Sequence, residues 1–280
     1  MATAPRMPRT EVPEAFDEVA DRYDLMVALN PGYHSHLRSS ASVLVTSLLE
    51  APGRSDPPGR SDPPGRPEEP GRSDDAGARA GGGQRLRVMD LGCGSGASTR
   101  ALVRALEAAA ADYELVGVDA SPGMLREAQG KRWPAQVRFV QAHAEALEDH
   151  ADLVGERGWD GVFAAYLVRN VTQRDPLFAT LRSLLRPGGV VVLHEYSVAG
   201  NRRASVVWTA VCRAVVVPLG WLTSRQTRLY SYLWRSVLDF DSTSALMDRL
   251  VRAGFEDVRT RSVRGWQKGI IHTFHARRPR

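Results

Sequence analysis

Three glycines and one acid, set a fixed distance apart, are the residues of this chain best suited to holding a small polar molecule. Gly92, Gly94 and Gly96 follow the short apolar run Val88, Met89 and Leu91, and Asp119 closes the next run, LVGVD, just over twenty residues beyond the last glycine. Glycine permits positive φ and lacks the Cβ that would hold a ligand away from the main chain. The helix expected to begin near Ala97 points free amides at whatever lies above the turn. Such a loop suits an anion or a polar cofactor tail. An acid at the position of Asp119, closing the second strand of a βαβ unit, is placed to bind the two hydroxyls of a ribose. The spacing therefore points to an adenosine-bearing ligand. GCGSG lacks the later glycine that dinucleotide sites use for close helix–strand packing, which tilts the choice from a nicotinamide dinucleotide toward S-adenosylmethionine. The competing reading is a strand–turn–helix joint with purely structural glycines; Asp119 and the later PGG turn weigh against it.

The elements needed to position these residues run from Arg87 to Asp119 as strand, glycine turn, helix and strand. SPGMLREAQGK follows as a helix capped by Ser121 with Pro122 at its first position. QVRFVQAHAEAL supplies a third strand and WDGVFAAYLV a fourth; helix RDPLFATLRSLL stops at RPGG, and VVVLHEYS makes a fifth. Beyond residue 200 a mostly helical excursion reaches about Phe240, helix SALMDRLVRAGF ends at Gly254, and VRTRSVR and GIIHTFHAR form a closing antiparallel hairpin. Strands alternating with helices predict a mostly parallel sheet covered on both faces, with the ligand at the carboxyl ends of its strands. Ahead of this core, EAFDEVADRYDLMVALN and a second stretch from His36 to Leu49 read as amphipathic cap helices.

Between the cap and the core, Pro52 to Asp75 is a hexapeptide repeat, PGRSDP and its variants, with essentially no large apolar side chain. Such a segment buries too little to offset its chain entropy and is expected to be a disordered surface insertion over 51–84. The whole chain has 280 residues, 43% of them apolar, enough for one large domain or two small ones. Its formal charge is +5, and there is no acid after Asp257, so the basic end is either a solvated tail or a surface for anionic partners. Cys93 and Cys212 match no metal or redox spacing, so a reducing cytoplasmic setting is the default. The first residues lack the apolar core of a signal peptide. SVVWTAVCRAVVVPLGWL, residues 205–222, is nearly long enough to span a bilayer, but Arg213 and Pro218 interrupt it. An amphipathic lid is expected instead, with Trp208 and Trp221 and flanking arginines suited to a lipid surface, the alternative being a buried helix pair.

FDEVADRYDLM, VMDLGCGSG, VGVDASPGML, FVQAHAEAL, YLVRNVTQRD, LLRPGG, ALMDRLVRAGFEDV and GIIHTFH together resemble the ubiquinone/menaquinone C-methyltransferase family of class I S-adenosylmethionine-dependent enzymes. The resemblance spans nearly the whole chain apart from the first residues, the proline-rich insertion and much of 200–228. RYDLM and RNVTQRD are its most specific parts. It implies a Rossmann-like α/β fold with a seven-stranded, mostly parallel sheet, an antiparallel last strand, N-terminal cap helices and a helical lid.

By the same resemblance, Gly92, Gly94, Ser95 and Gly96 hold the methionine portion of S-adenosylmethionine, with Asp90 and Ala120 alongside, and Asp119 binds the ribose. His143 and Ala144 stand near the adenine, where the family usually has Asp or Asn; the alternative for His143 is a solvent-facing loop residue. Ala165 stands where some members have serine. Arg169, Asn170 and Tyr23 are implied on the acceptor side. There a fixed guanidinium and an amide would favour a developing phenolate on a prenylated hydroquinone such as demethylmenaquinol. The alternatives are that Arg169 is structural and pairs with an acid such as Asp175, and that Tyr23 is a core aromatic. No metal, no nucleic acid, a lipophilic aromatic acceptor, peripheral contact with a membrane and a homodimer complete the expectation. A specialised-metabolite methyltransferase and a catalytically silent cofactor-binding scaffold are the competing functions.

Overall fold

The computed structural model describes residues 7–28, 30, 32–50, 85–155, 157–218 and 227–280. The insertion expected at 51–84, the first six residues, and Trp221 with its neighbours lie outside them.

The strands are β1 (Leu86–Leu91), β2 (Tyr113–Asp119), β3 (Val137–Gln141), β4 (Trp159–Ala165), β5 (Leu185–Tyr196), β6 (Glu256–Ser262) and β7 (Ile271–Arg277). They form one sheet in the order β3-β2-β1-β4-β5-β7-β6. Strands β1 to β5 pair in parallel, and β7 runs antiparallel to both of its neighbours, as the closing hairpin requires. Alternate residues of β1 feed two separate cores. Leu86 and Val88 join Leu37 and Leu44 of α3 (Tyr33–Leu49) and Leu102 and Leu106 of α4 (Ala97–Ala108) on one face. Met89 and Leu91 join Phe178 and Leu181 of α6 (Arg174–Leu184) and Leu250 of a later helix on the other. Burial on both faces explains why β1, β2 and β4 read as near-continuous apolar runs. The strand order reverses between β1 and β4, which places the ends of those two strands at the crevice where such sheets bind ligands.

Three boundaries differ from expectation, each for a local reason. The first cap segment is two helices, α1 (Val12–Asp17) and α2 (Ala20–Ala28), broken at Glu18 and Val19; the break lets Asp17 and Asp24 reach two different core loops. Helix α3 starts at Tyr33 because Gly32, at φ 90°, ends the preceding turn in a left-handed conformation. Helix α6 stops at RPGG as expected, but that segment is already the irregular start of β5, whose pairing with β4 slips between Leu185 and Val190. The final carbonyls of α6 find their donor in the chain's basic end, where Arg278 Nη1 donates to Arg182 O at 3.0 Å, to Ser183 O at 3.1 Å and to Leu185 O. Part of the basic tail thus has a structural use.

Helix α5 (Pro122–Gln129) is capped as expected, Ser121 Oγ accepting from Met124 N at 3.1 Å. The lid begins with α7 (Arg202–Val211), capped by Asn201, and runs through a π-helical turn at Cys212–Val216. Helix α8 (Thr227–Leu238) crosses it, Trp208 Nε1 donating to Trp234 O at 3.2 Å, and α9 (Thr243–Arg252), which carries Leu250, is capped by Ser242. Among the described residues no helix is long and apolar enough to cross a membrane.

Candidate functional site

A cavity of about 430 Å³ opens where the carboxyl ends of β1, β2 and β4 face the cap helices and the lid. Its glycine-loop side is built by sterics. Gly92 and Gly96 have φ of 73° and 93°, and a Cβ on either would meet Leu167 at 3.0 Å or Trp133 at 2.8 Å. Both are therefore needed for conformation and for packing. Gly94, at φ 53°, is different: a Cβ there would meet nothing within 4 Å. Its missing side chain leaves open space on the cavity wall.

Asp119 binds the loop directly. Its Oδ2 accepts from Gly94 N at 2.8 Å and its Oδ1 from Ser121 N at 2.9 Å. Burial raises its carboxyl above the usual range, and backbone donors at Ser121, Gly94 and Ala120 partly offset this. Asp90 lies elsewhere, beneath the loop and off the cavity wall, with Oδ2 accepting from Ser98 Oγ at 2.7 Å and Thr99 Oγ1 at 2.6 Å. Burial pushes it up to about 7. It ties the end of β1 to the first turn of α4. Gly96 also stays off the wall, whereas Gly92, Gly94, Ser95, Asp119, Ala120, Ala144 and Ala165 line it. His143 does too, with an exposed side chain close enough to Asp119 to lower that acid's pKa.

The cap is fastened to these loops by two acids that the sequence did not single out. Asp24 Oδ1 accepts from Ser95 Oγ at 2.5 Å, and Lys131 Nζ bridges Asp24 Oδ2 and Ser95 O, the latter at 2.7 Å. Asp17 accepts from Ser121 Oγ at 3.0 Å and from Gly123 N, adding a carboxylate at the amino end of α5.

The opposite side of the cavity is aromatic. Tyr166, just past β4, stacks on Tyr33 at 5.3 Å and lies 5.0 Å from Tyr196, which in turn lies 4.7 Å from Trp208. Tyr166 has φ 58°, a strained conformation for a non-glycine residue that costs on the order of 1–2 kcal/mol. Its hydroxyl meets His194 Nε2 at 3.2 Å, and His194 Nδ1 meets Thr273 Oγ1 at 2.9 Å. Burial pushes His194 down to about 3, so its ring is neutral at ordinary pH. Tyr23 sits on this wall beside Tyr33 and packs edge-on to Phe16; burial raises its phenol.

Arg169 is buried, and its partner is Glu195, not Asp175, which pairs with Arg249 instead. Arg169 Nη1 donates to Glu195 Oε1 at 2.6 Å and to Tyr166 O at 2.7 Å, and Glu195 Oε2 accepts from Arg169 N at 3.3 Å. Asn170 lines the cavity with Oδ1 accepting from Tyr232 at 3.1 Å. The structure thus brings Tyr23, Arg169 and Asn170 into one wall facing the glycine loop. Glu195 was missed, though an acid inside the apolar run VVLHEYS is itself a signal, since a buried carboxylate needs a partner.

The sequence model of the ubiE/COQ5 methyltransferase family matches residues 74–277. The chain belongs to that family. A relative from Syntrophotalea carbinolica, the ubiquinone/menaquinone biosynthesis C-methyltransferase UbiE, is 32% identical over 196 residues, 69% of this chain and 76% of its own length. The UbiE of Bradyrhizobium diazoefficiens is 28% identical over 94% of this chain and 89% of its own. In fold, this family member is similar to the plantazolicin methyltransferase BpumL in complex with SAH, at a TM-score of 0.58 and 12% identity over 96% of each chain. It is also similar to the CurJ carbon methyltransferase at a TM-score of 0.52 and 18% identity, over 70% of this chain and about half (49%) of that one. The family's cofactor is S-adenosylmethionine, and the site fits it: open space above Gly94 and a carboxylate fixed at the end of β2 suit a polar tail and a ribose. Among the described residues no group of three or more His, Cys, Asp or Glu could hold a metal ion.

Proposed function

We propose that this chain transfers a methyl group from S-adenosylmethionine to a ring carbon of a prenylated hydroquinone such as demethylmenaquinol. One observation carries the reading: a single cavity is lined by the glycine loop and Asp119 and also by Tyr23, Asn170 and an apolar, aromatic wall. In this reading Gly92, Gly94, Ser95 and Ala120 hold the cofactor's polar end, Asp119 its ribose, and His143 with Ala144 the adenine edge. Ala165 leaves room beside them. Gly96 and Asp90 hold the loop's shape from outside the cavity.

When bound, the cofactor supplies a methyl group on a positively charged sulfur. The chain's own task is to aim the acceptor carbon at it and to exclude water. Val12, Phe16, Trp208 and Val215 supply apolar wall for that purpose. Tyr23, and Asn170 held by Tyr232, offer groups to an acceptor hydroxyl. Arg169 has its charge compensated by Glu195, so we assign it to fixing the turn that carries Asn170, through its bond to Tyr166 O. Lid residues Val206 and Val215 are exposed, Arg202, Arg203 and Arg213 stand among them, and no acid occurs between Glu195 and Asp239. That combination suits peripheral contact with an anionic lipid surface, where a prenylated acceptor resides.

A second reading, an aromatic acceptor of another kind, draws support from Gln267, a cavity residue only 2% exposed whose Oε1 has no partner among the described residues. Turnover of a panel of hydroquinones separates the two. A prenylated naphthohydroquinone on anionic vesicles should exceed its tail-less analogue in kcat/KM by at least about tenfold, since each buried CH₂ is worth about 0.8 kcal/mol. Equal turnover of the two would favour the second reading.

A further inference from the structure

Charge in the acceptor half of the cavity does not reside where the family resemblance puts it. Arg169, on the wall, is cancelled by Glu195 at 2.6 Å; off the wall, Arg174 pairs with Asp241 at 3.3 Å and Arg228 with Glu11 at 2.7 Å. Glu145, also on the wall, has Oε1 committed to Thr172 N and Gln173 N at 2.6 and 2.9 Å. Among the described residues one cation on the wall is left over. Arg9, in the turn before α1, is half-buried and lines the cavity, and Nε donates to a neutral group, Arg169 O, at 3.2 Å, with the Tyr232 hydroxyl nearby. Among the described residues no carboxylate lies within ion-pair distance of it.

From this we propose that Arg9 is the residue that binds an anionic oxygen of the methyl acceptor, a phenolate on the aromatic ring. The inference rests on the aromatic-acceptor reading above and deepens it. The acceptor hydroxyl releases its proton to bulk water as it binds, and the resulting oxyanion is held by the Arg9 guanidinium, with Asn170, held by Tyr232, on the same wall. A guanidinium suits this role because it is weakly hydrated and presents several donors in a plane. Its bond to a neutral atom, Arg169 O, holds its position without reducing its charge. Tyr232 shows the field of this corner: burial raises its phenol, while the Arg169 and Arg9 cations pull it down.

The test uses the full chain saturated with S-adenosylhomocysteine and a chromophoric phenol, 4-nitro-1-naphthol, whose ionisation is read by absorbance when bound. Bound to the parent protein, the phenol should ionise about one pH unit or more below its value in water, the scale of one nearby opposite charge. Arg9→Gln should abolish most of that shift while the probe still binds, and Arg9→Lys, which keeps the charge, should retain at least half. An unchanged shift in Arg9→Gln, or its complete loss in Arg9→Lys, overturns the assignment and leaves the aromatic-acceptor reading standing. A probe that fails to bind the parent protein at all overturns both.

Discussion

Replacing Glu195 by glutamine removes one charge from a pair whose side chains are 6% and 1% exposed, for Arg169 and Glu195 respectively. The amide oxygen of glutamine can still accept from Arg169 Nη1 and from Tyr196 N, contacts now at 2.6 and 3.0 Å, while the longer bond from Arg169 N at 3.3 Å is lost to the amide nitrogen, so the change removes mainly charge. Breaking a buried pair costs about 3–5 kcal/mol, chiefly because the surviving ion is left uncompensated; with the two shorter hydrogen bonds retained, the low end, about 3 kcal/mol, applies. For a chain of this length each kcal/mol lowers Tm by roughly 2–4 °C, so Glu195→Gln should melt roughly 6–12 °C below the parent. Arg169→Met combined with Glu195→Gln removes the stranded cation, and the pair should recover at least about 2 kcal/mol relative to the sum of the single changes. Differential scanning calorimetry on the four proteins completes the cycle. A Glu195→Gln protein melting within about 2 °C of the parent, or a double variant with no coupling, would refute the account of Arg169 as a buried, compensated cation.

Two further outcomes follow from the cofactor half. Asp119→Asn keeps an acceptor for the Gly94 or Ser121 amide but loses the charge facing a ribose, so calorimetric titration should show S-adenosylmethionine binding weakened by about 1–3 kcal/mol, roughly 5–150-fold. Equal affinity would place the ribose elsewhere. Asp90, raised from 3.8 to about 7 by burial, holds more protons folded than unfolded between those values, so it withdraws stability as pH rises through that window. Asp90→Asn should therefore gain Tm relative to the parent from about pH 4 to about pH 7 and level off above it, and a pH-independent difference would contradict the assignment.

The glycine loop and Asp119 were legible because their signals are local: a positive φ asks for glycine, and a βαβ unit fixes the distance to the acid. The sheet was legible for a similar reason, since strands buried on both faces announce themselves as apolar runs. Contacts joining distant segments were not. Arg169 is visible as a cation but its partner is not: Asp175, the acid offered in the alternative reading, is near in sequence, whereas Glu195 is brought alongside by β5, the neighbour of β4. Asp17 and Asp24 look like any solvated helix acids until the loops beneath them are in place. Tyr166 carries no sign in its sequence that its backbone is left-handed. The break between α1 and α2 and the irregular start of β5 likewise follow from what those segments must reach, not from propensity.

The central claim, methyl transfer to carbon in this cavity, is tested most directly by supplying S-adenosylmethionine labelled with ¹³C in its methyl group together with demethylmenaquinol, and locating the label in the product by NMR. The account predicts the label on a ring carbon, as a methyl bonded to carbon, with formation slowed at least about fivefold by Asp119→Asn at subsaturating cofactor. A label found on oxygen as a methyl ether, or a fully folded protein that consumes no S-adenosylmethionine with this or any hydroquinone of the panel, would contradict it.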